Sequence, residues 1–237
     1  MSFANKLLTT QQLLKQIAAE HASVAFANSL GAEDMVLMDL ITKYASTIEI
    51  FSIDTGRLPA ETYDLIDRAT KHYRRKIKVY FPEQSAVETF VRINGINGFR
   101  DSVAQRQDCC HARKVEPLQR ALKGKAAWIT GLRREQALTR KNLSVVEIDQ
   151  ANGLQKFNPL IDWTEDEVWE YIHEFDVPYN ALHDQGYPSI GCAPCTRAVQ
   201  AGEDVRSGRW WWENAEQKEC GLHVKNPEDV LAVTVSS

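Results

Sequence analysis

Short apolar runs, small-residue turns and stretches of helical apolar spacing alternate along most of this chain. Residues 23–28, Ser23-Val24-Ala25-Phe26-Ala27-Asn28, are of strand length and nearly continuously apolar, the pattern of a buried strand. After the turn Ser29-Leu30-Gly31-Ala32, the positions Met35, Leu37, Met38, Leu40 and Ile41 follow helical spacing. Residues 48–53 predict a second strand and Asp54-Thr55-Gly56 a turn, while Pro59 suits the first turn of a helix running toward Tyr73. Residues 77–81 and 126–130 predict a third and a fourth strand, with a helix over about 113–122 between them. Residues 145–148 add an edge strand, and Thr164-Glu165-Asp166-Glu167 reads as a capped helix start leading into Val168, Trp169, Tyr171 and Ile172. Beyond Pro178 the pattern is loop-rich.

Strands alternating with helices imply right-handed crossovers. The fold class expected is α/β, a mainly parallel sheet with helices on both faces. Ligands of such sheets bind beyond the carboxyl ends of the strands, at a topological switch. Three turns fall there: Ser29-Leu30-Gly31-Ala32-Glu33-Asp34, Asp54-Thr55-Gly56-Arg57 and Gly131-Leu132-Arg133-Arg134. The first could present backbone N–H groups to a phosphate at a helix N-terminus, although a small-residue turn alone is equally a tight turn.

The 237 residues are 43% hydrophobic and 25% charged, ordinary for one globular catalytic unit with a tail. The division expected is an N-terminal segment 1–19, a catalytic domain 20–210 and a mobile C-terminal segment 211–237. A net charge of -4 argues against a general nucleic-acid binder. No apolar stretch approaches the roughly 20 residues of a membrane span, and residues 1–16 lack the h-region of a signal peptide. A cytoplasmic location follows as the expectation, and there five cysteines call for metal binding or catalysis rather than disulfides.

Four of the cysteines form two pairs, Cys109-Cys110 and Cys192-Ala193-Pro194-Cys195, and Cys220 stands alone. Thiolates select zinc or iron-sulfur clusters over hard cations. Neighbouring cysteines diverge, which suits the separate irons of a 4Fe-4S cluster better than one tetrahedral zinc. Cys192 and Cys195 could instead be a redox pair, or the cysteines small buried hydrophobes. Cys220 lies in Lys218-Glu219-Cys220-Gly221-Leu222-His223, where positive charge could favour its thiolate. Lowering a thiol pKa from about 8.5 to about 6.5 raises the thiolate fraction at pH 7 roughly 25-fold, but reduced nucleophilicity returns most of that gain. Placement of such a thiol must dominate its rate.

Taken together, Ser29-Leu30-Gly31-Ala32-Glu33-Asp34, Asp54-Thr55-Gly56-Arg57-Leu58, Cys109-Cys110 followed by Arg113-Lys114, Gly131-Leu132-Arg133-Arg134-Glu135-Gln136, Cys192-Ala193-Pro194-Cys195 and Glu219-Cys220-Gly221-Leu222-His223 resemble the assimilatory adenylyl-sulfate reductases over residues 20–223. The resemblance implies an adenine-nucleotide α-hydrolase-like fold, a 4Fe-4S cluster on Cys109, Cys110, Cys192 and Cys195, and Cys220 as nucleophile. It implies adenylyl sulfate as substrate, with the 3'-phosphorylated form open, and thioredoxin or glutaredoxin as reductant. Lys114 would then sit between cluster and substrate, and Arg206 and Arg209 would face the phosphosulfate. Ser29, Gly31, Ala32, Asp54, Thr55, Gly56, Arg57, Arg133, Arg134, Arg140 and His223 complete the expected substrate site.

Each arginine has the alternative of a surface charge, and Trp210, Trp211 and Trp212 that of packing rather than stacking. No nucleic-acid or membrane partner is expected, and homo-oligomerisation stays open. A tRNA sulfurtransferase or ATP-pyrophosphatase is the competing enzyme class, and a redox sensor the competing non-enzyme. The first should carry a basic extension and a Ser-Gly-Gly-x-Asp-Ser loop, whereas the loop here is Ser29-Leu30-Gly31-Ala32-Glu33-Asp34.

Overall fold

Two short, fully apolar strands set the centre of the molecule. In the computed structural model, which describes residues 2–136, 140, 142–200 and 202–213, β1 (Val24–Ala27) and β4 (Ala127–Ile129) pair in parallel with Ala25 opposite Trp128 and Phe26 opposite Ile129. Cys220, His223 and the rest of the expected C-terminal segment from residue 214 lie outside the described residues. The sheet continues through β2 (Glu49–Ile53) to β3 (Lys78–Tyr80) on one side, and through β6 (Leu154–Phe157) to β5 (Val146–Asp149) on the other. Its order is β3-β2-β1-β4-β6-β5, parallel except for β5 against β6.

Because side chains alternate across a strand, the inner strands feed two cores. Phe26, Ile50 and Ile129 join one with Leu14, Ile17, the apolar positions of α2 (Ala32–Tyr44) and Val168 of α7 (Glu165–Glu174). Ala25, Phe51 and Trp128 join the other with Leu118, Ala121 and Leu122. Helices thus cover both faces, as the apolar runs imply. Helix α2 is buried nearly all round, which explains why its apolar positions exceed a single stripe.

Two differences from the sequence pattern concern the edges. The edge strand is indeed the one near 145–148, but an unexpected strand, β6, intervenes between it and β4. The N-terminal segment is a helix, α1 (Phe3–Glu20), whose Leu14 and Ile17 belong to the main core. It is pinned by Trp163 Nε1 donating to Thr10 Oγ1 at 3.1 Å and by the Lys6–Glu167 ion pair at 2.8 Å. Thr164 and Glu167 form the capping box expected of α7.

On the sheet flank, α3 (Ala60–Tyr73) and α4 (Gln84–Asn94) precede α5 (Val103–Cys110). The chain then widens into a π turn over His111–Val115 before α6 (Glu116–Leu122). The helix expected over 113–122 therefore begins a full element earlier, and the irregularity falls beside the Cys109-Cys110 pair, a placement common at functional sites. Among the described residues, no helix is long and apolar enough to cross a membrane.

Candidate active site

The order β2-β1-β4 reverses direction at β1, so the loops after β1 and β4 diverge and leave a crevice at their carboxyl ends. A cavity of about 260 Å³ opens there. Its walls come from all three predicted turns, including Ser29, Gly31 and Ala32 after β1, Thr55 after β2, and Gly131 and Arg133 after β4.

Asp34 fixes the first turn to the third. Its buried carboxylate accepts from the Ser29 N–H at 2.7 Å, from the Ser29 hydroxyl at 2.5 Å and from the Gly131 backbone N–H. Burial outweighs these donors and pushes the Asp34 pKa up to about 6. A Cβ at Gly131 would collide with this carboxylate and lie 3.2 Å from the Glu33 Cβ. Leu30, at φ 66, occupies the left-handed region, stabilised by Asn28 Oδ1 accepting its N–H at 2.7 Å. The result is a turn that leaves Gly31 at the N-cap of α2 facing the crevice.

The second turn is tied to the cysteines. Thr55 Oγ1 lies 3.2 Å from Cys192 Sγ, Arg113 Nη1 donates to the Thr55 carbonyl at 2.7 Å, and the Ala193 N–H donates to the Arg57 carbonyl at 2.8 Å. Arg113 also hydrogen-bonds Cys109. One turn thereby joins the pair on α5 to the pair in the 192–195 loop. Burial pushes the Cys109 thiol up and the Cys195 thiol up to about 12, with Cys192 adding to both and Lys114 opposing at Cys195. Cys109, Cys110, Cys192 and Cys195 are not disulfide-bonded. Among the described residues, no three His, Cys, Asp or Glu side chains gather as ligands of a single metal ion.

Of the expected basic residues, Lys114, Arg133, Arg140, Arg206 and Arg209 line the cavity. Arg133 is also engaged by Glu33 at 2.9 Å and Glu135 at 3.0 Å, and Arg140 by Gln136. Arg209 Nη1 donates to the Ile190 carbonyl at 3.3 Å, while its Nε is buried without a hydrogen-bond partner among the described residues. The structure does not bring four others to the wall. Arg134 pairs with Asp162 and donates to the Leu143 carbonyl, and Arg57 donates to the Ile96 carbonyl with its guanidinium over the Phe99 ring. Asp54 accepts from the Gly56 N–H and the Tyr63 hydroxyl, closing the turn in which Gly56 takes φ 70.

Sequence reading missed His183, Trp169 and the role of Asp34. His183 and Trp169 line the cavity with ring centroids 5.3 Å apart in edge contact, and both imidazole nitrogens are buried. Burial pushes the His183 pKa down. For Asp34 a signal existed, an acid at the fourth position after Leu30 in a helix start; for His183, set in a loop without periodicity, there was none. Trp210 is packed, being 1% exposed, whereas Trp211 is 39% exposed.

Residues 23–198 match the family model described as phosphoadenosine phosphosulfate reductase domain. The chain is 58% identical over 212 residues to the adenosine 5'-phosphosulfate reductase of Allochromatium vinosum, covering 90% of this chain and 83% of that one. Among solved structures it resembles the phosphoadenylyl-sulfate reductase of Candida auris in a phosphate complex, with TM-score 0.69, 31% identity, and coverage of 81% of this chain and 90% of that one. The Candida glabrata FMN adenylyltransferase, at 15% identity, TM-score 0.56, and coverage of 98% and 82%, shares the fold alone. The sheet order and these likenesses identify the adenine-nucleotide α-hydrolase-like fold that the motifs imply.

Proposed function

Because the chain belongs to the phosphoadenosine phosphosulfate reductase domain family, we propose that it reduces adenylyl sulfate to sulfite and AMP, with Cys220 as the nucleophile. The observation that carries this reading is the position of Lys114, which lines the switch-point cavity and is electrostatically coupled to Cys195. A phosphosulfate in the cavity would lie between this ammonium and the guanidinium groups of Arg206 and Arg209, charges suited to a leaving phosphate. The adenosine end is offered Ser29, Gly31 and Ala32 after β1, together with Trp169 and His183, which line the same cavity. Adenylyl sulfate is preferred to the 3'-phosphorylated nucleotide because the relative at 58% identity is named for the former and the structural neighbour at 31% for the latter.

The chemistry divides into two displacements. The Cys220 thiolate attacks the sulfur of the phosphosulfate, a sulfur–sulfur bond forms, and the sulfur–oxygen bond breaks with its electron pair leaving on AMP. Lys114, Arg206 and Arg209 hold that developing phosphate charge in place. A thiolate of thioredoxin or glutaredoxin then attacks Cys220 Sγ of the S-sulfocysteine and expels sulfite. The second thiol of the reductant resolves the mixed disulfide, so two electrons pass from dithiol to sulfur and Cys220 is restored.

Cys109, Cys110, Cys192 and Cys195 would hold a 4Fe-4S cluster. The donor set fits: four soft sulfurs, partly or fully buried, come from the end of α5 and the 192–195 loop, bridged by Thr55 and Arg113. When bound, the cluster supplies fixed charge beside the sulfate rather than electrons. The reading places the enzyme in the cytoplasm, where reduced thioredoxin is available. It is tested by measuring sulfite release from both nucleotides side by side with reduced thioredoxin. Adenylyl sulfate should be preferred in kcat/KM by at least about tenfold; sulfite from neither nucleotide would overturn the reading.

A further inference from the structure

We propose that Arg106 and Glu213 form a buried latch that roots the Cys220 segment on the cysteine-bearing helix, making both of them positioning residues for the first displacement. The proposal rests on the two-step reading above. Arg106 stands on α5, one turn before Cys109-Cys110. Its Nε donates to Glu213 Oε1 at 2.6 Å, and the two side chains are 1% and 4% exposed. Glu213 precedes Cys220 by seven positions in the sequence.

The latch also packs on Trp210. The Arg106 guanidinium lies 4.7 Å from the centroid of Trp210, and the Arg209 guanidinium lies 4.6 Å from the same ring. Trp210 is itself constrained, with φ 41 in the left-handed region, its N–H donating to the Cys195 carbonyl at 3.2 Å, and its carbonyl accepting from the Glu213 N–H at 2.9 Å. A tryptophan adopts that backbone only when its surroundings over-determine it. Two guanidinium groups on one indole repel each other, and Glu213 neutralises the one turned away from the cavity. Arg209 stays against the Gly191 backbone, where a Cβ would collide with its guanidinium.

An ion pair this buried is poor evidence for stability, because apolar residues of similar size often fold as well. What such a pair supplies is direction. It admits one arrangement of α5 and the 209–213 segment, and so fixes the point from which the chain to Cys220 departs. Since placement rather than thiol acidity limits a nucleophile of this kind, a loosened root should slow attack without weakening nucleotide binding.

The test compares wild type, Glu213→Gln and the apolar double variant Arg106→Leu/Glu213→Leu, each carrying its iron and sulfide. Without thiol reductant and at saturating adenylyl sulfate, the rate of SO3 transfer to Cys220 is read by intact mass, alongside AMP affinity and the melting temperature. Glu213→Gln should slow adduct formation by at least about tenfold with AMP affinity held within about twofold. The double variant should melt like wild type yet remain slow, which keeps the test valid if the single variant folds poorly. A wild-type adduct rate in either variant would overturn the latch, as would a loss of AMP affinity in proportion to the loss of rate. A wild-type enzyme that releases AMP without an adduct would instead overturn the two-step reading beneath it.

Discussion

The Asp34 carboxylate accepts both the backbone N–H of Ser29, at 2.7 Å, and its hydroxyl, at 2.5 Å. Even so, burial holds its proton until about pH 6, against 3.8 for an ordinary aspartate. Between those values the folded chain binds more protons than the unfolded one, so this group's contribution to stability falls as pH rises through the window, by about 3 kcal/mol in all. Asp34→Asn should remove the dependence. Urea unfolding of both proteins from pH 4 to pH 7 should show wild type losing about 2–2.5 kcal/mol relative to the variant, and a difference independent of pH would refute the assignment.

Gly131 faces the other side of the same carboxylate. An added Cβ would meet Asp34 and sit 3.2 Å from the Glu33 Cβ, so Gly131→Ala must displace the β4 loop or the start of α2, at a cost of about 1–3 kcal/mol. Both border the crevice, and AMP affinity should drop at least about tenfold. Gly153→Ala supplies the control: its φ of 66 disfavours alanine, but nothing lies within 4 Å of the new carbon and the residue is not at the cavity. Calorimetric titration with AMP should separate the two.

The inner strands are legible in sequence because burial on both faces leaves a continuous apolar run, as in Val-Ala-Phe-Ala and Ala-Trp-Ile. Leu154-Gln155-Lys156-Phe157 leaves no such mark. Lys156 is buried in it against Glu147 at 3.5 Å and over the Trp128 ring, and its strand pairing is a long-range property that no local window contains. The site divides along the same line. Paired cysteines and turns at strand ends announce themselves by spacing, but an arginine's identity does not say where its side chain goes. Arg133 and Arg134 are neighbours, one at the cavity and the other paired with Asp162 on the far side of the turn.

Cysteine substitutions should sort into two classes. Cys109→Ser, Cys110→Ser, Cys192→Ser and Cys195→Ser should each lower bound iron and acid-labile sulfide, whereas Cys220→Ser should retain both, keep AMP binding, and abolish sulfite release. The distinction follows from the cluster assignment, since removing one thiolate leaves an iron without its protein ligand. Iron and sulfide analysis of anaerobically purified protein decides it. Cluster loss in Cys220→Ser would reverse the roles of the cysteines, and about one zinc with no sulfide in the parent protein would replace the cluster by a single ion.

Arg209 and Arg134 provide the sharpest contrast between residue type and geometry. Both are arginines expected at the substrate site, yet Arg209 is 7% exposed, lines the cavity and lies against Gly191, whereas the Arg134 side chain is 38% exposed and committed to Asp162 and the Leu143 carbonyl. A guanidinium aimed at developing phosphate charge in a confined site contributes about 2.7–4 kcal/mol, or 10²–10³ in rate. An exposed ion pair contributes about 0–1 kcal/mol to stability. Arg209→Leu should therefore lower kcat/KM for adenylyl sulfate by about 10²-fold or more, with Arg209→Lys recovering part of the loss because charge survives while the planar fork does not. Arg134→Leu should leave kcat/KM within about twofold and shift stability by no more than about 1 kcal/mol. Steady-state kinetics on the three variants, with iron content measured in each, checks the ordering. Equal losses at the two positions would mean that Arg134 reaches the substrate by leaving Asp162 when the nucleotide binds.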